Sequence, residues 1–292
     1  MKTRWAVLPA AGMLAAAGSS FGGGWPGWRG DGTGISRDKP LPLEWSADRN
    51  VRWRVAIPGY GWSCPVVASN RVFVTTAVAD RQEPPPPKGP GGGEPAPDKV
   101  FRWEVHCLDR TTGRTLWKQV AAEFKPRVGN HVCNTYASET PVTDGERLYT
   151  YFGMVGMFCH DFSGKLMWSR DLGAYRMFAN WGTSSSPASD GERLFVQCDN
   201  EDRSFVVALD KKTGRDLWRV ERRERSTWST PILWRNKTRT ELVCMGSDYF
   251  VGYAPSTGCE LWRCASERSL GVSGGGAGGD SGGRGRPPTG GR

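Results

Sequence analysis

A chain of 292 residues with 38% hydrophobic content is long enough to bury a sizeable core. Its 14 Trp, 39 Gly and 20 Pro point to many short strands joined by tight turns and argue against a bundle of long helices. The net charge of +9 is no nucleic-acid signature: Lys2 and Arg4 supply +2, the last 28 residues a further +2, and the remaining +5 is spread among alternating charges without a basic helix or a long basic run.

Residues 1–20 read as an export signal, with Lys2 and Arg4 ahead of the apolar stretch from Trp5 to Ala17 and small residues after it. Export places the mature protein in the periplasm, at the cell surface or outside the cell. No second long apolar run follows, so no transmembrane span is expected. A Gly- and Trp-rich segment occupies residues 21–42 and carries Trp25-Pro26-Gly27-Trp28-Arg29-Gly30. Next, the run from Asn50 to Val55 has the pattern of a strand, with Trp53 at its centre.

From there a repeat sets the organisation. Each unit opens on Ser/Thr-x-Pro or a variant: Ser63-Cys64-Pro65, Glu139-Thr140-Pro141, Ser185-Ser186-Pro187 and Ser229-Thr230-Pro231. Each closes on an apolar run, a turn with Asp and Gly, and Leu-Trp or a near equivalent. Cys107-Leu108-Asp109-Arg110-Thr111-Thr112-Gly113-Arg114-Thr115-Leu116-Trp117 is the first copy, and others end at Trp168, Trp218 and Trp262. In the turn, Asp and Thr can bond their own backbone while Gly supplies φ > 0. The closing tryptophans follow one another at intervals of 51, 50 and 44 residues, which suits a four-stranded antiparallel propeller blade. Residues 80–100, with Pro84 to Pro87 and Gly91 to Gly93, read as a loop inserted between the second and third strands of the first unit.

The repeated segment resembles the pyrroloquinoline-quinone (PQQ)-like β-propeller repeat, in which Leu-Asp-x-x-Thr-Gly-x-x-Leu-Trp ends each blade. The likeness covers residues 43–264, and Trp25 to Gly30 resembles the start of planctomycete-type exported members. It implies an all-β fold of about four blades in which Trp53, Trp117, Trp168, Trp218 and Trp262 dock onto neighbouring blades. It also implies a longer architecture, because members close with seven or eight blades. Five Leu-Trp-type strands stand against four sets of preceding strands, so an incomplete ring and a truncated or frame-shifted product are expected, with a disordered Gly/Arg-rich tail over residues 265–292. Open blade edges would then favour self-association.

The family includes quinoprotein alcohol and glucose dehydrogenases, which hold PQQ and a calcium-type ion over the propeller axis. It also includes BamB-like scaffolds that hold partners. No adjacent Cys pair of the dehydrogenase kind is present, and the eight Cys form no Cys-x-x-Cys motif. Asp109, Asp161 and Asp210 recur at the turn and are assigned to structure; Asn200-Glu201-Asp202 reads as a polar turn. No catalytic residue and no metal ligand is therefore assigned, and no cofactor is expected. Aromatic residues precede the Pro of each first strand: Trp62, Tyr136, Trp181 and Trp228. With His131 they are expected at the mouth of the central channel, where rigid rings suit a binding surface. The leading expectation is an exported scaffold or binding protein for a protein or small ligand. The alternatives are a PQQ- and calcium-dependent dehydrogenase or its remnant, and a carbohydrate-binding or sensor module.

Overall fold

Apolar residues alternate with polar ones along each run of the repeat, so each run pairs into a sheet with one face turned to a neighbour. The computed structural model describes residues 24–36, 38, 41–81 and 92–266. Blade one contains β1 (Val66–Ala68), β2 (Arg71–Ala79), β4 (Phe101–Asp109) and β5 (Thr115–Phe124). Blade two contains β7 (Val142–Thr143), β8 (Arg147–Tyr151), β9 (Met157–Asp161) and β10 (Leu166–Arg170). Blade three is β11 (Ala188–Ser189), β12 (Arg193–Cys198), β13 (Phe205–Asp210) and β14 (Asp216–Glu221), and blade four is β15 (Ile232–Arg235), β16 (Thr240–Met245), β17 (Tyr249–Tyr253) and β18 (Glu260–Ala265). In each sheet the strands lie in sequence order and pair antiparallel. These are four blades of an incomplete β-propeller. Among the described residues there is no α-helix, and none is long and apolar enough to cross a membrane.

The core lies between blades. Val66, Phe73, Val105 and Cys107 of blade one meet Leu148 and Phe158 of blade two. Tyr149, Met157 and Cys159 meet Leu194, Val196 and Val207 of blade three, and Phe195, Val206 and Ala208 meet Leu242, Cys244 and Val251 of blade four. Every fourth strand carries a bulge at the residue before its Trp. Cys107 pairs with Trp117 and Leu108 with Thr115, so Leu116 is the extra residue; Met167, Leu217 and Leu261 are skipped in the same way. The bulge turns Leu116, Met167 and Leu217 outward to solvent while the adjacent indole keeps the inter-blade side.

Three expectations are corrected. The run from Asn50 to Val55 forms no strand: no partner strand lies beside it among the described residues, although Trp53 still meets blade one. The insertion is not loop throughout, because β3 (Gly93–Glu94) pairs with β6 (Asn130–His131). Ordered pairing passes the expected end at residue 264, since β18 runs through Ala265 and the Ser266 N–H donates to Asp248 O. The signal segment 1–20 and residues 267–292 of the tail lie outside the described residues.

Candidate functional site

The residue before each repeat proline links one blade to the next. The Cys64 N–H donates to Thr140 Oγ1 at 3.0 Å, the Thr140 N–H to Ser186 Oγ at 2.9 Å and the Ser186 N–H to Thr230 Oγ1 at 3.0 Å. Proline holds its predecessor extended, which frees that N–H from the sheet ladder and aims it along the ring. The hydroxyl that accepts for the preceding blade belongs to the middle residue of the motif, Thr140, Ser186 or Thr230, and not to its leading Ser/Thr position.

A cavity of about 670 Å³ opens where these strand starts converge. Its wall combines the rings of Trp28, Trp62 and Trp228, the hydroxyls of Ser138, Thr140, Ser186 and Thr230, and apolar Ile232, Met245 and Phe250 of blade four. A strap from the N-terminal segment forms its edge. Trp25 and Val67 exchange two backbone hydrogen bonds, of 2.8 and 2.9 Å, and the Thr143 N–H donates to Pro26 O at 2.8 Å. Val67 and Thr143 are equivalent, three residues beyond the pre-proline position of blades one and two. Gly30, with φ +67°, then turns the strap back over the Trp25 ring, where a Cβ would come within 2.9 Å of Cε3.

Trp62, 66% exposed, and Trp228 stand in the cavity wall, and the Trp228 Nε1–H donates to Gly182 O at 2.7 Å. Trp181 leans on Trp228 with centroids 5.3 Å apart, at the rim. His131 meets the Trp181 ring edge-on at 5.7 Å, and its Nδ1 accepts the Cys133 N–H at 3.0 Å, which leaves the proton on Nε2. Tyr136 lies elsewhere: it packs on Phe101 and Trp103 in the core between blades one and two and donates its hydroxyl to Val128 O. A phenol has to satisfy its OH inside, and the Val128 carbonyl does so away from the cavity. No residue pattern pointed to Phe178, Trp28 or Arg29 as further members of this group. Phe178 lies 5.6 Å from Trp181, raised by a turn in which Ala179 and Asn180 both take positive φ.

The closing tryptophans occupy matching places. Trp53, Trp117, Trp168 and Trp218 donate their indole N–H to the carbonyls of Arg110, Phe162, Lys211 and Pro255, at 2.8–3.0 Å. Each ring covers the turn glycine of the following unit, Gly113, Gly164, Gly214 or Gly258, where a Cβ would come within 2.6–2.9 Å of the ring. Trp262 differs: it lies on Gly252 of its own blade and donates to Glu241 at 2.5 Å.

The acidic groups are engaged in structure. Asp109, Asp161 and Asp210 accept the backbone N–H groups of their own turns. Asn200 Oδ1 accepts from the Asp202 and Arg203 N–H groups, Asp202 pairs with Arg176, and Glu201 accepts the Ser226 N–H. Between blades three and four, Asp199 and Arg222 form a bidentate pair buried from solvent, completed by Gln197, Thr227 and Tyr253. Glu139 is buried with Thr183 Oγ1–H as a donor, and burial pushes its carboxyl up to about 7 against that bond. All eight Cys are free, and burial raises the Cys198 and Cys244 thiols to about 12. Among the described residues no three His, Cys, Asp or Glu side chains are grouped to hold a metal ion. The cavity wall offers hydroxyls and no carboxylate, so it does not fit a calcium-type ion beside a quinone.

Fold and site together define a propeller of four-stranded blades with an aromatic and hydroxyl-lined mouth. The family described as outer membrane protein assembly factor BamB matches residues 102–269, more than half of the chain, and the chain belongs to that PQQ-like propeller family. No curated protein sequence matches it. Among solved structures, it is similar to BamB from Moraxella catarrhalis, with 15% identity over 56% of this chain and 48% of that one and a TM-score of 0.36. It is also similar to the quinohemoprotein alcohol dehydrogenases ADHIIG of Pseudomonas putida HK5 (14% identity, 73% of this chain and 35% of that one, TM-score 0.46) and of Comamonas testosteroni (13%, 71% and 35%, 0.43). The chain spans between about a third and a half of the length of these structures.

Proposed function

We propose that this protein is an exported propeller scaffold that holds an extended polypeptide at the mouth of its axis. The observation that carries the reading is the strap. Trp25 and Pro26 are a length of extended chain bound to the inner edges of blades one and two through the Val67 and Thr143 amides. Ser189 and Leu233 hold the equivalent positions in blades three and four, beside the cavity, and their N–H groups have no partner of this kind among the described residues. A bound peptide would offer its carbonyls there, as the strap does, and lay apolar side chains against Trp62 and Trp228. The indoles of Trp53, Trp117, Trp168 and Trp218 serve this role by docking blade to blade and holding the mouth in shape. The export pattern of residues 1–20 supports a periplasmic, cell-surface or secreted location.

Titration of the full chain with an array of extended decapeptides containing Pro and aromatic residues, followed by Trp fluorescence, tests the proposal. Saturable quenching by peptides is expected, weakened roughly tenfold or more by Trp228→Ala, whose lost stacking is worth about 1.4 kcal/mol or more. Quenching by glycans alone would replace it with a carbohydrate-binding role. Dye reduction on adding PQQ, calcium and an alcohol would replace it with a dehydrogenase.

A further inference from the structure

We propose that the cavity at the mouth selects a carboxylate, carried by the extended polypeptide on an acidic side chain or at its C-terminus. The inference rests on the peptide-binding reading above and names what that peptide must carry. The first observation is a surplus of donors. Thr140 Oγ1, Ser186 Oγ and Thr230 Oγ1 each accept a backbone N–H from the preceding blade, and none of the three hydroxyls has an acceptor for its own proton among the described residues. All three line the cavity. Thr140 and Ser186 are each only 2% exposed, which leaves the cavity as the place where their protons find an acceptor. A hydroxyl that already accepts an N–H is polarised into a better donor.

Arg29 supplies the charge. It is the one charged residue in the cavity wall, and among the described residues no carboxylate lies within ion-pair distance of it. Its guanidinium carbon lies 5.5 Å from the centroid of the Trp28 ring, also in the wall. Its backbone takes φ +59°, a left-handed conformation that costs a bulky residue free energy and that marks sites where geometry is imposed. The turn imposes it here: Arg29 O accepts the N–H groups of both Gly32 and Gly34, at 3.1 and 2.9 Å. Gly34 also leaves the guanidinium its room, since a Cβ there would come within 3.2 Å of Nε. The strap thus carries backbone strain at the very residue that presents a cation to the mouth. Beside that cation the wall is indole and aliphatic, a setting of lower polarity than open surface, which strengthens the pairing of a guanidinium fork with a carboxylate. A cationic ligand would meet Arg29 with no acidic wall residue to offset it, and a neutral one would leave the charge unpaired.

Titration of the full chain, read by Trp fluorescence, tests this with three N-acetylated peptides of Pro, Phe and Gly. One carries a central Glu and an amidated end, the second has Gln in place of that Glu, and the third is the Gln peptide with a free C-terminal carboxylate. At least one carboxylate peptide should bind about tenfold or more tightly than the neutral one, and the peptide that gains shows whether a side chain or the chain end is taken. The advantage should shrink with rising salt. It should vanish in Arg29→Gln, survive in part in Arg29→Lys, and survive in full in Arg114→Gln, an equal loss of charge in an exposed turn of blade one. Peptides that all bind alike overturn the carboxylate proposal and leave the peptide reading standing. A preference that persists in Arg29→Gln, or that falls equally in Arg114→Gln, also overturns it. Phenylacetate and phenylacetamide decide the opposite case. Should no peptide bind, Arg29-dependent quenching by phenylacetate alone keeps the carboxylate site and removes the peptide, whereas no response to either compound removes both.

Discussion

Glu139 occupies the place that Ser63, Ser185 and Ser229 hold in the other blades, one residue ahead of the pre-proline link. There it is 2% exposed, and burial, opposed by the Thr183 hydroxyl, lifts its carboxyl from 4.5 to about 7. Burial first, and then the neighbouring Cys198 and Glu139 charges, hold the buried Tyr151 phenol neutral. The folded chain thus binds this proton more tightly than the unfolded chain. Its stabilising effect is complete below about pH 4.5 and is lost as the pH rises through about 7, a change of about 3 kcal/mol. Glu139→Gln keeps an acceptor for Thr183 and removes the titration. Melts from pH 4.5 to 8 should show the variant level with the parent at the acid end and roughly 6–10 °C more stable at pH 8; a constant difference would place the proton elsewhere. His160 runs the other way. Burial lowers its ring to about 4, so its contribution is present above about 6.5 and is lost as the pH falls through 4. His160→Phe, which keeps a ring beside Trp117, should therefore lose less stability than the parent between pH 6.5 and 4, measured by the same melts.

Among the elements, the turn that ends each blade's third strand is where conformation and packing meet. Gly214 lies in that turn and Gly191 in the turn between the first two strands of the same blade; both take positive φ, +72° and +96°, yet a Cβ on Gly191 would meet open space while one on Gly214 would come within 2.6 Å of the Trp168 ring. Gly191→Ala should cost about 1 kcal/mol, the backbone penalty alone. Gly214→Ala should cost about 3–4 kcal/mol, because the indole of the preceding blade must also move. Equal costs in urea melts would mean that the indole lies elsewhere. The repeat made the turn legible in sequence: Asp, Thr and Gly at fixed offsets carry their own backbone chemistry. The ring beneath the glycine was not legible from the turn itself, since it arrives from a tryptophan some 45 residues earlier and spacing alone does not say which neighbour receives it. The same limit explains Trp53, whose pattern reads as a strand but whose ladder partners are missing from the described residues. It also explains Tyr136, whose motif position matches Trp62 and Trp228 while its hydroxyl draws it into the core. Of the residues expected at the mouth, Trp62 and Trp228 stand in the cavity wall and Trp181 packs on Trp228, but the strap had no sequence signal: Trp25 and Pro26 sit on first strands through backbone groups that no side-chain pattern encodes.

Across the whole molecule, stability should be distributed as in other arrays whose units touch only their neighbours. Blades two and three are each packed on both faces by another blade. Blade one has blade two on one side and Trp53 on the other, and Tyr60 extends its sheet through a backbone bridge to Ala77. Blade four has one packed face and one exposed, and it is tied to blade three by the Arg222 guanidinium, which donates to the Tyr253 hydroxyl, and by Trp218. Opening blade four breaks one interface, whereas opening blade three breaks two, and a difference of even 1.4 kcal/mol changes an opening equilibrium tenfold. Native-state hydrogen exchange should therefore find the amides of β16 and β17 exchanging at least about tenfold faster than those of β12 and β13. Arg222→Met, which leaves Asp199 buried without its cation, should widen that gap, because an unpaired charge at the single remaining interface costs about 3–5 kcal/mol. Uniform protection across blades three and four would mean that the exposed face is covered in solution.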